Sequence, residues 1–151
     1  MKIEKSYEKK CEVCGEIIKV DIYEQGKCKS CGWFNCFLNE ENPDDVALPN
    51  TLSLNRARQL YKEGKPFELS LNDFIDALFS YGEMQFEYDG TYYAVELVGK
   101  SKDVVEIQLY NSKTREMFLF KSKEDFKNNA KVEGKLLKDI WDETTDRYWL
   151  Q

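Results

Sequence analysis

Two short stretches, 11–15 (CEVCG) and 28–32 (CKSCG), decide how the first third of this chain folds. Thirteen residues separate their Cys-x-x-Cys pairs, which is the ligand spacing of a zinc ribbon. We therefore predict one structural Zn²⁺ bound by the thiolates of Cys11, Cys14, Cys28 and Cys31, with iron or a redox dithiol as the alternatives. Four protein ligands fill a tetrahedral zinc site, so this metal would have no open position for a substrate.

The segment between the cysteine pairs has a β pattern. Ile18, Val20 and Ile22 alternate with polar residues, which predicts a strand, and Gln25-Gly26 predicts the turn that returns the chain to the second pair. A unit of about 30 residues is too small to bury an adequate apolar core. Metal binding would supply its folding free energy, which is on the order of 10–16 kcal/mol in comparable small sites.

Length and composition bound the class of protein. The chain has 151 residues, of which 42% are hydrophobic and 14% aromatic, so we expect one or two small domains with real cores. No stretch approaches the ~20 apolar residues that span a bilayer, and no apolar run follows the basic N-terminus as it would in a secretory signal. We expect a cytoplasmic protein without a membrane partner, whose cysteines stay reduced.

Two residue types bear on catalysis. The chain has no histidine, which removes the Ser-His and Cys-His nucleophile pairs and the commonest general base near neutral pH. The fifth cysteine, Cys36, lies among Trp33, Phe34 and Phe37, and we predict that it is packed as a small apolar residue. We therefore expect a protein that is not an enzyme; an enzyme that works through carboxylates and tyrosines is the minor alternative.

The charge pattern favours a basic protein partner. The net charge is −6, and residues 70–151 carry 11 basic and 16 acidic side chains. Residues 51–69 alone lean basic, with four cations and two acids. A protein that binds duplex DNA usually presents a basic patch, so nucleic acid is the less favoured partner. An acidic surface suits a basic one, such as the active surface of a nuclease.

We divide the chain into three parts: a zinc ribbon at residues 1–38, a loop and connecting helix at 39–69, and an α+β domain at 70–151. In the middle part, Ser53 is predicted to cap a helix that Gly64 ends. The basic side chains Arg56, Arg58 and Lys62 of this helix are candidate phosphate or partner contacts. A helix that faces water and acidic neighbours is the favoured interpretation of the same residues.

The third part is predicted to form an antiparallel sheet of about four strands with two or three helices. Ser70 and Asp73 suit a capping box, and Asp89-Gly90 suits a hairpin turn that places Phe86 opposite Tyr93. Two further strands are predicted around 105–109 and 117–120, a short helix after Ser122, and a last helix over 136–141. The fold class is therefore α+β.

Aromatic side chains are candidates for contacts with a partner. Tyr92 is predicted on the solvated face of the hairpin, where it suits a protein interface. Trp33 and Trp149 are considered for the same role or for stacking on bases, and the core is the favoured location for both.

Several of these features resemble the bacterial cysteine-rich CPCC family. They are the paired cysteines, Trp33 after the second pair, the Asn42-Pro43-Asp44 loop and the stretch 49–58 (PNTLSLNRAR), with SLNRAR the most specific part. The resemblance covers roughly residues 8–65 and implies a zinc ribbon, a loop and a helix; the first knuckle departs from it, because the family has Cys-Pro-Cys-Cys there. The C-terminal part resembles small uncharacterised bacterial proteins, and such relatives are sometimes associated with toxin–immunity loci.

Together these observations predict a non-enzymatic zinc-binding protein that acts by protein–protein interaction. An inhibitor or immunity-type protein for a basic partner, such as a nuclease toxin, fits them best. A nucleic-acid-associated zinc-ribbon protein, resting on the ribbon and the basic helix, is the alternative.

Overall fold

The computed structural model describes residues 7–101 and 104–148, and of Lys100, Ser101 and Tyr148 the backbone alone. The chain divides into two compact units, Met1–Glu68 and Leu69–Gln151. Within the described residues, no helix is long and apolar enough to cross a membrane.

The N-terminal unit consists of two small β-hairpins and two helices. Its elements are β1 (Tyr7–Lys10), β2 (Ile17–Val20), β3 (Gly26–Lys27), β4 (Phe34–Asn35), α1 (Phe37–Glu41) and α2 (Leu54–Lys62). Strand β1 pairs with β2 and β3 with β4, both antiparallel. Strands β2 and β3 approach so closely that a Cβ on Gly26 would lie 2.5 Å from the Lys19 carbonyl oxygen, so only glycine fits there.

The strand between the cysteine pairs ends earlier than we predicted. Ile18 and Val20 are buried, as the alternation indicated, but Ile22 is 59% exposed. The cause is Asp21, whose carboxylate accepts hydrogen bonds from the N–H groups of Tyr23 and Gln25 at 2.8 and 3.0 Å. This local bonding forms a turn that competes with the strand.

Helix α2 begins and ends where the sequence indicates. Ser53 Oγ accepts a hydrogen bond from the N–H of Arg56, and Gly64 follows the helix with a φ of +69°. Leu54, Ala57 and Leu60 face the core and are at most 5% exposed. This buried stripe fixes the opposite side of the helix, and with it the basic residues, at the surface.

The C-terminal unit packs three helices on a five-stranded sheet. Its elements are α3 (Leu71–Tyr81), β5 (Glu83–Tyr88), β6 (Thr91–Ser101), β7 (Val104–Asn111), β8 (Met117–Phe120), α4 (Lys123–Asn129), β9 (Lys131–Val132), β10 (Lys135–Leu136), α5 (Leu137–Ile140), a 3₁₀ turn (Trp141–Glu143) and β11 (Thr145–Tyr148). The strand order in the sheet is β11-β5-β6-β7-β8, with every neighbouring pair antiparallel. The predicted α+β class and antiparallel sheet are confirmed.

The hairpin formed by β5 and β6 has the predicted register. Phe86 lies opposite Tyr93 and their rings stack, with centroids 5.1 Å apart. The capping box of α3 is also present, since Asp73 Oδ2 accepts from the Ser70 N–H while Ser70 Oγ accepts from the Asp73 N–H. Phe74 of α3 meets Phe86 edge to face at 5.9 Å, so the helix and the hairpin share one core.

The end of the chain differs from the prediction. The expected helix over 136–141 is only the four residues of α5 followed by a 3₁₀ turn, and β11 adds a fifth strand beside β5. Trp141 is held in the core at the point where the helix gives way to the 3₁₀ turn: its ring packs on Phe74 at 5.0 Å and its Nε1 donates to the Leu69 carbonyl at 2.9 Å. Arg147 of β11 stacks 4.7 Å from the Trp141 ring, which anchors the added strand.

Candidate metal centre and candidate binding face

The two cysteine pairs lie in turns of the same construction. In the first turn Cys11 N–H donates to the Glu16 carbonyl and Gly15 N–H donates to the Cys11 carbonyl. In the second, Cys28 and Gly32 make the equivalent bonds, to Trp33 and Cys28 respectively. Both glycines have positive φ, +80° and +84°, which L-residues rarely adopt. The repeated sequence CxxCG therefore encodes a repeated knuckle, and each knuckle presents two sulfurs.

The knuckles bring the four predicted ligands together. The Sγ atoms of Cys11, Cys14, Cys28 and Cys31 all lie within 4.8 Å of one another. Cys11 Sγ is 3.7 Å from Cys31 Sγ, and Cys14 Sγ is 3.5 Å from Cys28 Sγ. Four sulfurs about 2.3 Å from a central Zn²⁺ would be separated by about 3.8 Å in a tetrahedron, so the cluster fits that ion. These cysteines can hold a metal ion, and four thiolates are a donor set that soft or borderline metals prefer.

Asn35 supports the cluster, and we did not foresee it from the sequence. Its side chain is fully buried and its Nδ2 lies 3.5 Å from Cys11 Sγ. Its Oδ1 accepts a hydrogen bond from the Glu12 N–H at 2.8 Å, while Nδ2 also reaches the Gly26 carbonyl. One amide thus ties the first knuckle to β3 and β4. The signal in the sequence was an asparagine inside the otherwise apolar run 33–37 (WFNCF).

The surroundings of the thiols act on their pKa values in opposite directions. Burial raises the pKa of Cys11, but backbone N–H groups of Cys14 and Val13 and the Asn35 side chain bring it down to about 7. Burial raises the pKa of both Cys14 and Cys31, and for Cys31 the hydrogen bond with Cys11 raises it further. A divalent cation would offset this crowding of thiolates, because metal binding displaces the protons.

A lysine and two glutamates brace the first knuckle. Lys9 Nζ lies 3.2 Å from Glu12 Oε1 and 3.0 Å from Glu40 Oε2. Burial raises the pKa of Glu12, and the hydrogen bond from Lys9 opposes that shift. The same lysine holds the pKa of Glu40 below its usual value. This network links β1, the knuckle and α1, so the lysine has a structural role that the sequence did not reveal.

The basic residues of α2 are partly committed within the N-terminal unit. Arg58 Nε donates to the Glu12 carbonyl at 2.8 Å, and its Nη1 reaches Asn55 Oδ1 at 3.3 Å. Arg56 Nη1 donates to Gln59 Oε1 at 3.1 Å. Lys62 is exposed. Arg58 therefore braces the first knuckle, in keeping with the intramolecular interpretation of this helix.

The remaining candidates separate into core and surface. Cys36 is 1% exposed and precedes α1, which confirms the prediction that it is packed. Trp33 is 3% exposed and lies edge to face with Phe67, so its ring is not available to a base or a partner. Tyr92 is 46% exposed, as predicted for the solvated side of its hairpin. Trp149 lies outside the described residues.

One face of the five-stranded sheet is turned away from the helices, and we call it the open face. Register and burial place four glutamates on it: Glu83, Glu87, Glu96 and Glu106. Uncharged side chains lie on the same face: Gln85, Tyr92, Ala94, Gln108, Tyr110, Met117 and Leu119. Among the described side chains of β5 to β8 on this face there is no lysine or arginine. The open face is therefore acidic, with exposed aromatic and apolar groups between the charges.

Like charges meet at two places on the open face. Glu83 lies directly opposite Glu96 across β5 and β6, an arrangement that destabilises a sheet. The Glu87 carboxyl contacts that of Asp146, and this hydrogen bond between two acids raises the pKa of Glu87. Within the described residues, neither Glu83, Glu87 nor Glu96 forms an ion pair with a lysine or arginine. Unrelieved repulsion at a surface indicates that a cation from outside the unit would be favoured there.

No protein-family model matches this sequence, and no curated protein or solved structure shows significant similarity to it. The resemblance to the CPCC family stays a prediction.

Removal of the metal is expected to unfold the ribbon selectively. A chelator added to the zinc-loaded chain should abolish hydrogen-exchange protection of the Cys11 and Cys28 amides, because the strands beside the two knuckles are only two to four residues long. The amides of β5 and β6 should stay protected, since that hairpin has its own aromatic core. Protected knuckle amides in the metal-free protein would contradict a metal-dependent ribbon.

Substitution of Asn35 is expected to weaken metal binding. Asn35→Ala removes the amide that approaches Cys11 Sγ, and loss of such a supporting group typically lowers metal affinity about 10–100-fold. Competition with a chromophoric chelator measures the change. Asn39→Ala is the matched control, because Asn39 is equally buried but bonds to Asn50 instead of a thiol. Equal affinities for the two variants would show that Asn35 supports only the fold.

The acid pair on the open face predicts a pH dependence. The pKa of Glu87 is raised in the folded state. Above that pKa the two ionised carboxylates therefore lower the stability of the folded protein, and this destabilisation fades as the pH falls through the pKa. Glu87→Gln should therefore raise the melting temperature at pH 7 and leave it nearly unchanged at about pH 3, where wild-type carboxyls are protonated. A stabilisation of equal size at both pH values would show that charge repulsion is not the cause.

Proposed function

We propose that this is a non-enzymatic, zinc-stabilised protein that works by binding another protein, and that it acts as an inhibitor or immunity-type partner for a protein with a basic surface. The observation that carries the proposal is the open face of the sheet. It joins Glu83, Glu87 and Glu96, which form no ion pair with a lysine or arginine within the described residues, to exposed aromatic and apolar side chains. A polar rim around aromatic and apolar anchors is the anatomy of a protein interface.

The metal centre supports this role because protein ligands would fill every position of the metal. Four cysteines meet in one cluster, so a zinc bound by all of them has no position left for a water or a substrate. Zinc would supply folding free energy to the knuckles, and the chain's own residues would supply recognition. An enzyme would need a nucleophile or base with a partner, and the cysteine outside the cluster, Cys36, is buried in the core.

Electrostatics would act mainly on the rate and specificity of association. Glutamates spread over one sheet face create a local negative potential that attracts a cationic surface and repels an acidic one. Exposed charges are screened over about 8–10 Å at physiological salt, so the attraction should weaken as salt is added. The exposed Tyr92 ring between the charges would supply contact area that salt does not weaken.

A pair of charge-matched variants tests the proposal. Glu83→Lys/Glu96→Lys reverses two charges on the open face, and Asp139→Lys/Asp142→Lys reverses two exposed charges elsewhere on the same unit. Both variants have the same net charge, so bulk electrostatics cannot separate them. Wild type and the Asp139/Asp142 variant should retain the same basic protein from host extract, and the open-face variant should bind the purified protein about tenfold or more weakly.

The outcome also separates binding from inhibition. If the retained protein is a nuclease, its activity should fall on titration with wild type and not with the open-face variant. Identical sets of retained proteins for all three chains, each shown to be folded by circular dichroism, would contradict the proposal.

A specific observation keeps nucleic acid as the second candidate partner. Lys19, Lys27 and Lys29 line a groove of about 320 Å³ on the ribbon, beside the exposed side chain of Ile17. The lining also includes Ile18 and one acid, Glu16, so cations outnumber acids, and lysines along a groove can follow a phosphate backbone. Binding to single-stranded RNA or DNA that weakens with salt and with Lys19→Glu/Lys27→Glu, but not with the open-face variant, would favour this candidate.

A further inference from the structure

Strand β8 forms one edge of the five-stranded sheet. The Asn111 N–H donates to the Glu116 carbonyl at 3.0 Å, which makes these two residues a hydrogen-bonded pair at the start of the β7–β8 ladder. Because bonding alternates along an antiparallel ladder, Phe118 and Phe120 direct their backbone groups toward β7, and Met117 and Leu119 direct theirs away from it. Met117 and Leu119 thus offer two donors and two acceptors at the edge.

The side chains of this edge do not protect it. Met117, Phe118 and Leu119 are 61%, 48% and 55% exposed, and the strand contains no proline or charged residue. Proteins usually blunt an exposed edge with lysine, proline or a bulge, because an apolar edge pairs with other strands. An edge of this kind is the surface to which an extended peptide adds as a further strand.

Charge around β8 differs from that of the rest of the unit. Residues 113–123 carry four cations and one acid, within a segment, 70–151, whose net charge is −5. Arg115 precedes the strand and Lys121 follows it, both exposed, and neither forms an ion pair within the described residues. The edge is therefore an apolar centre between two cations.

A second copy of the chain is a poor match for this edge. If two copies paired through β8, a two-fold axis through Phe118 would place Met117 opposite Leu119 of the other copy. All the outward N–H and C=O groups of these two residues would then be hydrogen-bonded. That arrangement brings the strand end beside Arg115 close to the strand end beside Lys121 twice, and like charges at close range repel. The edge favours a strand whose ends are acidic.

We propose that β8 is a docking edge for an extended segment of a partner protein with the pattern acidic–x–apolar–x–apolar–x–acidic. The apolar pair would lie against Met117 and Leu119, and the acidic ends against Arg115 and Lys121. The residue between the apolar pair would lie beside Phe118, on the helix side of the sheet. Met117 and Leu119 also belong to the open face, but this inference rests on their outward backbone groups and on Arg115 and Lys121, which the function proposed above does not use.

A cavity on the helix side adds a preference for the central residue. Phe118 lines a cavity of about 470 Å³ together with Tyr93, Leu109 and Val132. The same cavity is also lined by Lys113, Glu116, Lys131 and Glu133, so the surface that an apolar neighbour would cover is the half-exposed ring of Phe118 itself. The central position of the segment is therefore expected to favour leucine over threonine.

A labelled peptide of sequence ETVLVTE, titrated with the zinc-loaded full chain in fluorescence anisotropy, tests the proposal. It should bind about tenfold more tightly than KTVLVTK, because two opposite-charge pairs are replaced by like-charge pairs. Replacing its central leucine by threonine should weaken binding. The variant Arg115→Glu/Lys121→Glu should reverse the preference between the two peptides while keeping the circular dichroism spectrum of the wild type.

Methylation of the peptide backbone distinguishes strand addition from side-chain contact alone. The amides of the two valines would face β8, so N-methylation there should weaken binding about tenfold or more, whereas N-methylation of the leucine amide, which faces away, should have little effect. Equal effects at both positions would overturn the proposal, as would equal affinities for the two peptides or no binding up to about 1 mM. A dimer in light scattering that Leu119→Lys converts to a monomer would also overturn it, because a second copy would then occupy the edge.

Discussion

Four cysteine sulfurs within 4.8 Å of one another are the interaction on which the N-terminal unit depends. Its strands are two to four residues long, which is too short for the backbone ladder to hold them. The surrounding polar groups are organised around the cluster: Asn35 bonds to the first knuckle from β4, Lys9 joins Glu12 to Glu40, and Arg58 donates to the Glu12 carbonyl. A metal ion held by all four cysteines would fix this scaffold, and it would have no position open for a substrate.

The C-terminal unit is stabilised differently, and its stability and its proposed function occupy opposite faces of one sheet. The helix side is packed with aromatic rings, among which Phe74, Phe86 and Trp141 lie 5.0–5.9 Å from one another. The open face carries Glu83 opposite Glu96, a pairing that costs stability. Local choices that oppose the fold are expected at functional surfaces, which is why recognition is placed there.

Local signals in the sequence predicted the elements that depend on local chemistry. The cysteine spacing, the Ser70 capping box and the Asp89-Gly90 turn act over a few residues, and each is present in the structure. Contacts between distant residues were not predictable in this way. Arg147 of strand β11 contacts the Trp141 ring and the Leu69 carbonyl, and Asn35 reaches Cys11 from the other end of the two hairpins. Tyr92 was placed on the solvated face from alternation alone, whereas Glu87 meets Asp146 only through β11, which the sequence did not indicate.

The measurement that tests the central claim most directly is X-ray absorption spectroscopy of the zinc-loaded full chain. A closed structural site predicts four sulfur neighbours at about 2.3 Å from each zinc and no nitrogen or oxygen neighbour. Three sulfurs with one light atom would contradict the account, because that atom would be an exchangeable ligand at an open position. The metal would then be a candidate for catalysis, and the open face would lose its place as the functional surface.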